Sequence, residues 1–129
     1  MLKILRDPDE QLRPAIEVMQ VSVAWLRSFV PSSPLDELRL HLVRGDSMAP
    51  TAAAGDLLVV DTSVTDYDAD DLYLLKNPRG IHTFKRLQMV PDGFNIISGN
   101  VRYPPILVPT LTGYNVVGKV KIIGHFFAP

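Results

Sequence analysis

A serine and a lysine are the two side chains of this sequence whose types and positions suggest catalysis. Ser47 lies where a predicted strand ends and a turn begins, and reactive side chains are commonly presented at such positions. Lys85 alternates with Thr83 and Leu87 on one face of another predicted strand, which points its amine inward. If the fold brings the two together, the hydroxyl is a nucleophile and the amine its base.

Desolvation is what would make Lys85 a base at neutral pH. A lysine with the ordinary pKa near 10.4 is neutral only about once in 2,500 molecules at pH 7. Burial disfavours the charged form, and a fall of roughly 3 pKa units, or ~4 kcal/mol, is needed. The neutral amine can then take the proton of Ser47 as the hydroxyl attacks a peptide carbonyl, without any histidine. Taken alone, Ser47 is more typical of a serine that caps a turn, so the pair carries the prediction.

Cofactor and metal patterns are weak in this sequence. The three histidines, His41, His82 and His125, are far apart and lack the spacing of a metal or metalloprotease motif, so we interpret each as a strand residue. No glycine-rich nucleotide loop is present either. We therefore expect no cofactor and no metal.

A run of aspartates without a base is the most uneven feature of the charge pattern. Its members are Asp56, Asp61, Asp66, Asp68, Asp70 and Asp71. The D-x-D-x-D part imitates a calcium loop, but Asp71 replaces the glycine and Asn77 the bidentate glutamate that such a loop needs. We interpret the run as a solvated acidic loop.

The composition is typical of one globular domain. Hydrophobic residues make up 47% of the 129 residues and charged residues 21%, which argues against disorder. The net charge of -1 argues against a stand-alone nucleic-acid binder. The sequence has no cysteine, no secretory signal and no apolar run long enough to cross a membrane. We expect a soluble, cytoplasmic protein.

Eleven prolines and eight glycines divide the chain into short segments with strand character. We predict a short helix that Ser22 caps, with Trp25 in the core. Seven predicted strands follow, at Arg39–Arg44, Leu57–Asp61, Leu72–Lys76, Ile81–Gln88, Phe94–Ser98, Ile106–Val108 and Val116–Phe127. They predict a mostly β domain of curled antiparallel sheets, similar to a barrel or sandwich, over residues 21–129. Residues 1–20 are expected to be an N-terminal arm or the remnant of a linker.

Five blocks of sequence, in the same order, resemble the S24 peptidases, the family of LexA-like and phage-repressor-like C-terminal domains. They are Val43 to Thr51, Gly55 to Asp61, Phe84 to Gln88, Ser98-Gly99-Asn100 with Tyr103-Pro104-Pro105, and Gly118 to Val120. The resemblance implies a LexA-like fold and a dyad of Ser47 as nucleophile and Lys85 as general base. It also implies that the backbone beside Ser47, at Asp46 and Met48, supports the oxyanion.

The resemblance implies a substrate and partners as well. Such domains commonly cut their own chain at an Ala-Gly or Cys-Gly bond N-terminal to the dyad when a RecA filament stabilises the competent conformation, and they form homodimers. Here the only glycine before Ser47 is Gly45, and the sole Ala-Gly pair, Ala54-Gly55, lies after it. We therefore expect the chain to be the C-terminal part of a DNA-damage-responsive repressor, whose operator DNA is bound by an N-terminal domain absent from this chain.

Two other functions stay open at this point. A stand-alone accessory protein of a translesion polymerase would have this domain, a short arm and no DNA-binding domain. A non-catalytic dimerisation module would keep Ser47 and Lys85 as a buried hydrogen-bonded pair and would associate through the exposed edge of its C-terminal strand. Binding to a polymerase or to a RecA filament without operator binding would indicate the accessory protein.

Overall fold

The computed structural model describes residues 2–4 and 18–126, and in this part of the chain nine strands form one sheet. The strands are β1 (Leu2–Ile4), β2 (Val18–Met19), β3 (Leu38–Leu42), β4 (Leu57–Asp61), β5 (Asp71–Lys76), β6 (His82–Val90), β7 (Gly93–Ile97), β8 (Ile106–Val108) and β9 (Asn115–Gly124). Helix α1 (Val23–Phe29) and a 3₁₀ turn (Leu35–Glu37) lie between β2 and β3. The predicted mostly β fold with a short N-terminal helix is confirmed.

The strands follow the order β2-β1-β3-β4-β9-β5-β6-β7-β8 across the sheet. All neighbouring pairs are antiparallel except β1 and β3, which run parallel. The bounds of β4 and β8 match the prediction, and those of the other predicted strands shift by at most two residues where the structure describes them. The predicted end of the last strand, Phe127, lies outside the described residues. Strands β1 and β2 were missed because two or three residues are too few to show a periodicity.

The prediction that the C-terminal strand offers an exposed edge is wrong. Strand β9 lies inside the sheet, with β4 on one side and β5 on the other. Its pairing shifts register at Val59/Val60 on one side and at Leu74/Leu75 on the other, so a bulge on each side lets one long strand serve two partners. In the described part of the sheet the edge strands are β2 and β8.

Strand β4 is buried on both faces and separates two groups of core side chains. One group, here called the inner cluster, consists of Val43, Met48, Ala52, Leu58, Val60, Leu74, Phe84 and Val120. The other contains Leu26, Val30, Leu38, Leu40 and Val59, under helix α1. Because Met48 belongs to the inner cluster, the residue after Ser47 is anchored in the core.

Helix α1 begins after Ser22, whose Oγ accepts a hydrogen bond of 3.0 Å from the Trp25 N–H, so the predicted cap is confirmed. The prediction that Trp25 fills the core is wrong, since its side chain is 43% exposed and packs against Phe29. The helix buries Leu26, which packs together with Val30, the residue after the helix, against side chains of β3 and β4. No helix in the described ranges has the length and apolar character needed to cross a bilayer.

Two aspartates of the predicted acidic loop are buried, which corrects that interpretation in part. Asp56 accepts hydrogen bonds from the Ala53 N–H and from the His125 ring, and Asp61 accepts two from Ser63. A carboxylate can be buried only when such partners replace water. His125 itself follows β9 instead of lying in it, contrary to the prediction.

Leu40→Ala and Trp25→Ala test this division between core and surface. Leu40 is fully buried, so its truncation should lower the free energy of unfolding by about 2–5 kcal/mol. Trp25→Ala should cost clearly less, because much of its ring is already in water. Urea denaturation followed by circular dichroism measures both, and an equal loss in the two variants would contradict the packing described above.

Candidate active site

Ser47 and Lys85 are in contact although 38 positions separate them in sequence. The distance between the Lys85 Nζ and the Ser47 Oγ is 2.8 Å. Ser47 lies in the turn that follows β3, as predicted, and Lys85 lies in the middle of β6. The fold thus brings together the two residues that the sequence selected.

A second hydroxyl, which the sequence analysis did not single out, contacts the same amine. The Lys85 Nζ lies 3.0 Å from the Ser98 Oγ. In the hairpin of β6 and β7, Arg86 pairs with Ile97, so Ser98 comes opposite Lys85. The sequence feature that could have revealed Ser98 is the short turn between two apolar strands, because turn length fixes the register of a hairpin.

Burial lowers the pKa of the Lys85 amine below its ordinary value of 10.5, and desolvation is the cause. Lys119 shows the opposite case, although both lysines pair with Tyr73, one on each side of β5. The Lys119 amine lies 3.0 Å from an Asp68 oxygen, and this hydrogen bond raises its pKa. Of these two lysines, the one with the lowered pKa lies beside Ser47.

Hydrogen bonds from the segment after β7 hold the turn that carries Ser47. The Asn100 N–H donates to the Ser47 carbonyl at 2.8 Å, and the Asn100 side-chain amide donates to the Asp46 carbonyl at 3.0 Å. The Tyr103 hydroxyl donates to the Asp46 carboxylate at 2.5 Å. Gly45, with a φ of +74°, opens this turn in a conformation that favours glycine.

Met48 ties the other end of the turn to the core and to Gly99. Its side chain is buried in the inner cluster, and its sulfur accepts a hydrogen bond from the Gly99 N–H. A Cβ atom at Gly99 would lie 2.8 Å from the Met48 carbonyl oxygen, which is too close for any side chain. Gly99 therefore allows the two segments to approach, and with them Ser47 and Ser98.

A cleft of about 310 Å³ opens beside Ser47 and Lys85. Val43, Met48 and Phe84 of the inner cluster line it together with His41 and His82. The two imidazole rings meet edge to face with their centroids 5.7 Å apart. Both histidines lie in strands, as predicted, but their position next to the Ser47–Lys85 pair was not foreseen. The structure thus places a hydroxyl, a desolvated amine and an open cleft side by side.

Comparison with known proteins agrees with the family resemblance. A model of the Peptidase S24-like family matches residues 7–126. The chain belongs to this family. The S24 domain is 33% identical over 88 residues to the 26 kDa repressor protein of Escherichia phage HK022. It is also 35% identical over 96 residues to an uncharacterized HTH-type transcriptional regulator of Haemophilus influenzae.

The matched regions cover most of this chain but a minor part of each relative. They cover 68% of the chain and 37% of the phage protein, and 70% of the chain and 38% of the bacterial protein. The S24 domain therefore matches little more than a third of the length of each relative.

The lowered pKa of Lys85 predicts a pH dependence of stability. In the range between the folded-state pKa and the unfolded value near 10.5, the unfolded chain binds more protons at Lys85, so the contribution of this lysine to the free energy of unfolding should rise with pH. This contribution is complete above the unfolded value and is lost as pH falls through the folded-state pKa. The slope of the free energy of unfolding against pH should therefore be less positive in Lys85→Met than in the parent chain, whereas Ser47→Ala should keep the parent slope. Urea denaturation between pH 7 and 11 measures the slope, and an unchanged slope in Lys85→Met would refute the assignment.

Proposed function

We propose that this S24 domain is the C-terminal, self-cleaving serine endopeptidase and dimerisation domain of a transcriptional repressor that responds to DNA damage. The observation that carries the proposal is the 2.8 Å contact between the Ser47 hydroxyl and the desolvated Lys85 amine. The relatives are named as a repressor and an HTH-type regulator, and both are far longer than the region they share with this chain. These names support a DNA-binding part outside the S24 domain.

The first chemical step is the attack of Ser47 on the scissile carbonyl. The neutral Lys85 amine takes the hydroxyl proton while the Oγ forms a bond to the carbonyl carbon and the carbonyl electrons move to oxygen. The carbonyls on either side of Ser47, those of Asp46 and Met48, accept hydrogen bonds from Ala49 and Ala52 at 3.0 Å. These bonds fix the peptide planes of the turn, and its N–H groups beside Ser47 are the donors for the oxyanion.

The second step breaks the peptide bond. As the carbonyl re-forms, the C–N bond breaks and the Lys85 ammonium returns its proton to the leaving amine, which leaves an ester on Ser47. Water then gives a proton to Lys85 as its oxygen attacks the ester, and Ser47 departs with a proton from the ammonium. The substrate is the polypeptide that precedes the domain, which attachment keeps at high effective concentration.

Ser98 orients the Lys85 amine. A neutral amine has two N–H donors and one lone pair, and only the lone pair can accept the Ser47 proton. When one N–H donates to the Ser98 oxygen at 3.0 Å, rotation of the amine is restricted and the lone pair can face Ser47. Ser98 is therefore a positioning residue that acts through Lys85.

The proposal predicts a native chain longer than the S24 domain, and it is tested on that chain. Ser47→Ala and Lys85→Met should each abolish its conversion to a fragment of about the present size, as followed by gel electrophoresis. The rate in the parent chain should rise with pH and level off above the lowered pKa of Lys85, because only the free amine is a base. A RecA filament with a nucleoside triphosphate should accelerate cleavage. Retained cleavage in Lys85→Met would contradict the dyad.

Ser98→Ala separates positioning from basicity. Loss of the hydroxyl should slow cleavage about tenfold. This loss is smaller than the 10²–10⁴-fold rate increase that a general base supplies. The pH of half-maximal rate should not rise, because removal of an acceptor cannot favour the ammonium form. Ser98→Thr keeps the hydroxyl and should restore most of the rate. If the cleavage rate of Ser98→Ala is unchanged across the pH range, Ser98 has a purely structural role.

A further inference from the structure

An aspartate stands directly before Ser47 in the sequence, yet its carboxylate does not contact the Lys85 amine. Asp46 precedes the residue whose Oγ lies 2.8 Å from the Lys85 Nζ. Among the described residues, the hydrogen-bond partners of this amine are the hydroxyls of Ser47 and Ser98, and no carboxylate lies within ion-pair distance of it. A carboxylate beside Lys85 would favour the ammonium form. The position of the Asp46 carboxylate therefore matters for the base.

The Tyr103 side chain links this aspartate to the surroundings of the amine. Its hydroxyl donates a hydrogen bond of 2.5 Å to an Asp46 carboxylate oxygen, and its ring centroid lies 6.0 Å from the Lys85 Nζ. The hydrogen bond to Asp46 raises the pKa of the Tyr103 hydroxyl, so the hydroxyl remains a donor at pH values where an ordinary tyrosine begins to ionise. One side chain thus binds the Asp46 carboxylate and lies beside the amine.

We propose that Tyr103 is a positioning residue of the dyad, whose hydroxyl holds the Asp46 carboxylate away from the Lys85 amine and so keeps the amine without an ion-pair partner. The inference rests on the proposed peptidase function of Ser47 and Lys85. It adds to that function a residue that acts on the base through Asp46 and takes no proton itself.

A second tyrosine of this chain shows the opposite arrangement. The Tyr73 ring centroid lies 6.0 Å from the Lys119 Nζ, and the Tyr73 hydroxyl donates to an Asp68 oxygen at 2.6 Å. The same Asp68 oxygen accepts a hydrogen bond of 3.0 Å from the Lys119 amine, and this bond raises the pKa of Lys119. Both sets contain a tyrosine, an aspartate and a lysine. In the set beside Ser47, the carboxylate contacts the tyrosine but not the lysine.

The other titratable and charged groups that surround the Lys85 amine supply no carboxylate. They come from β5, the end of β7, the lining of the cleft and β9, and they are Tyr73, Ser98, His41, Arg44, His82 and Lys119. Lys119 itself holds the carboxylates of Asp68 and Asp71, at 3.0 and 3.8 Å. Asp46 is therefore the carboxylate of these surroundings that the loss of one tyrosine hydroxyl, that of Tyr103, would release toward Lys85.

Titration of the Lys85 amine in variants of the 129-residue chain tests the inference. Tyr103→Phe keeps the ring and removes the hydroxyl that binds Asp46. The released carboxylate can then turn toward the amine, and the midpoint of the Lys85 titration should rise by about one pH unit, the low end of what a neighbouring opposite charge causes. Tyr103→Phe combined with Asp46→Asn should return the midpoint to the parent value, because the amide carries no charge. NMR of ¹⁵N-labelled lysine Nζ measures both.

Tyr67→Phe is the matched control. It also removes a hydroxyl that donates to an aspartate at 2.5 Å, that of Asp70, but neither residue contacts the Lys85 amine. The Lys85 midpoint should not change in this variant. Asp46→Asn alone provides a second test that does not depend on whether Tyr103→Phe folds. If Asp46 is held away from Lys85, this variant keeps the parent midpoint, whereas a lowered midpoint would show that the carboxylate already acts on the amine and would contradict the inference.

Self-cleavage of the longer chain separates this role from a merely structural one. Tyr103→Phe should slow cleavage about tenfold at neutral pH, since a rise of one unit in pKa lowers the fraction of free amine tenfold, and should leave the rate at high pH nearly unchanged. An equal loss of rate at every pH would overturn the inference.

The NMR titration also separates failure of the inference from failure of the peptidase. It compares variants without any cleavage, so a rise in Tyr103→Phe that Asp46→Asn reverses supports the inference even if the longer chain does not cleave itself. An unchanged Lys85 midpoint in Tyr103→Phe, or a rise that persists in the double variant, overturns it. The dyad still stands in that case if Ser47→Ala and Lys85→Met abolish cleavage of the longer chain.

Discussion

The Lys85 amine can accept the proton of the Ser47 hydroxyl only if the amine is kept out of water. The rest of the fold depends on this constraint. An exposed lysine is an ammonium ion that cannot accept a proton. The structure lowers the pKa of Lys85 by burial alone and keeps acidic side chains at the other lysine that pairs with Tyr73, Lys119. The same sheet thus holds one lysine as a potential base and the other as an ion-pair partner.

Three separate segments must meet for this arrangement to exist. Strand β6 supplies Lys85, the turn after β3 supplies Ser47, and the end of β7 supplies Ser98. Gly99 permits the close approach of the last two, and Asn100 holds them by hydrogen bonds. The hydroxyls and the amine are therefore positioned by backbone contacts, and the core under Met48 supports them. The cleft that opens next to them takes its lining from β3, the turn after it and β6, so the hydroxyl, the amine and the lining share one framework.

Much of this could be predicted from the sequence, because alternation and turn residues define strands and because five blocks of sequence resemble the S24 family, to which the comparisons assign the chain. What escaped prediction depends on contacts between distant segments. Ser98 reaches Lys85 through a hairpin register, and His41 meets His82 because the sheet curls. Trp25 was misplaced because composition alone cannot say which face of a short helix is buried. The position of β9 inside the sheet also escaped prediction, because β9 pairs with β4 and β5 through bulges that no local pattern shows.

Titration of the Lys85 amine itself shows directly whether burial makes it a base. The five lysines of the chain can be labelled with ¹⁵N at Nζ and followed by NMR as the pH rises, with Lys85→Met to assign the signal. Lys85 should lose its proton at a pH below its ordinary pKa of 10.5, and Lys119 at a pH above it. A Lys85 amine that titrates at or above 10.5 would contradict the account, because Ser47 would then lie beside an ammonium ion and not beside a base.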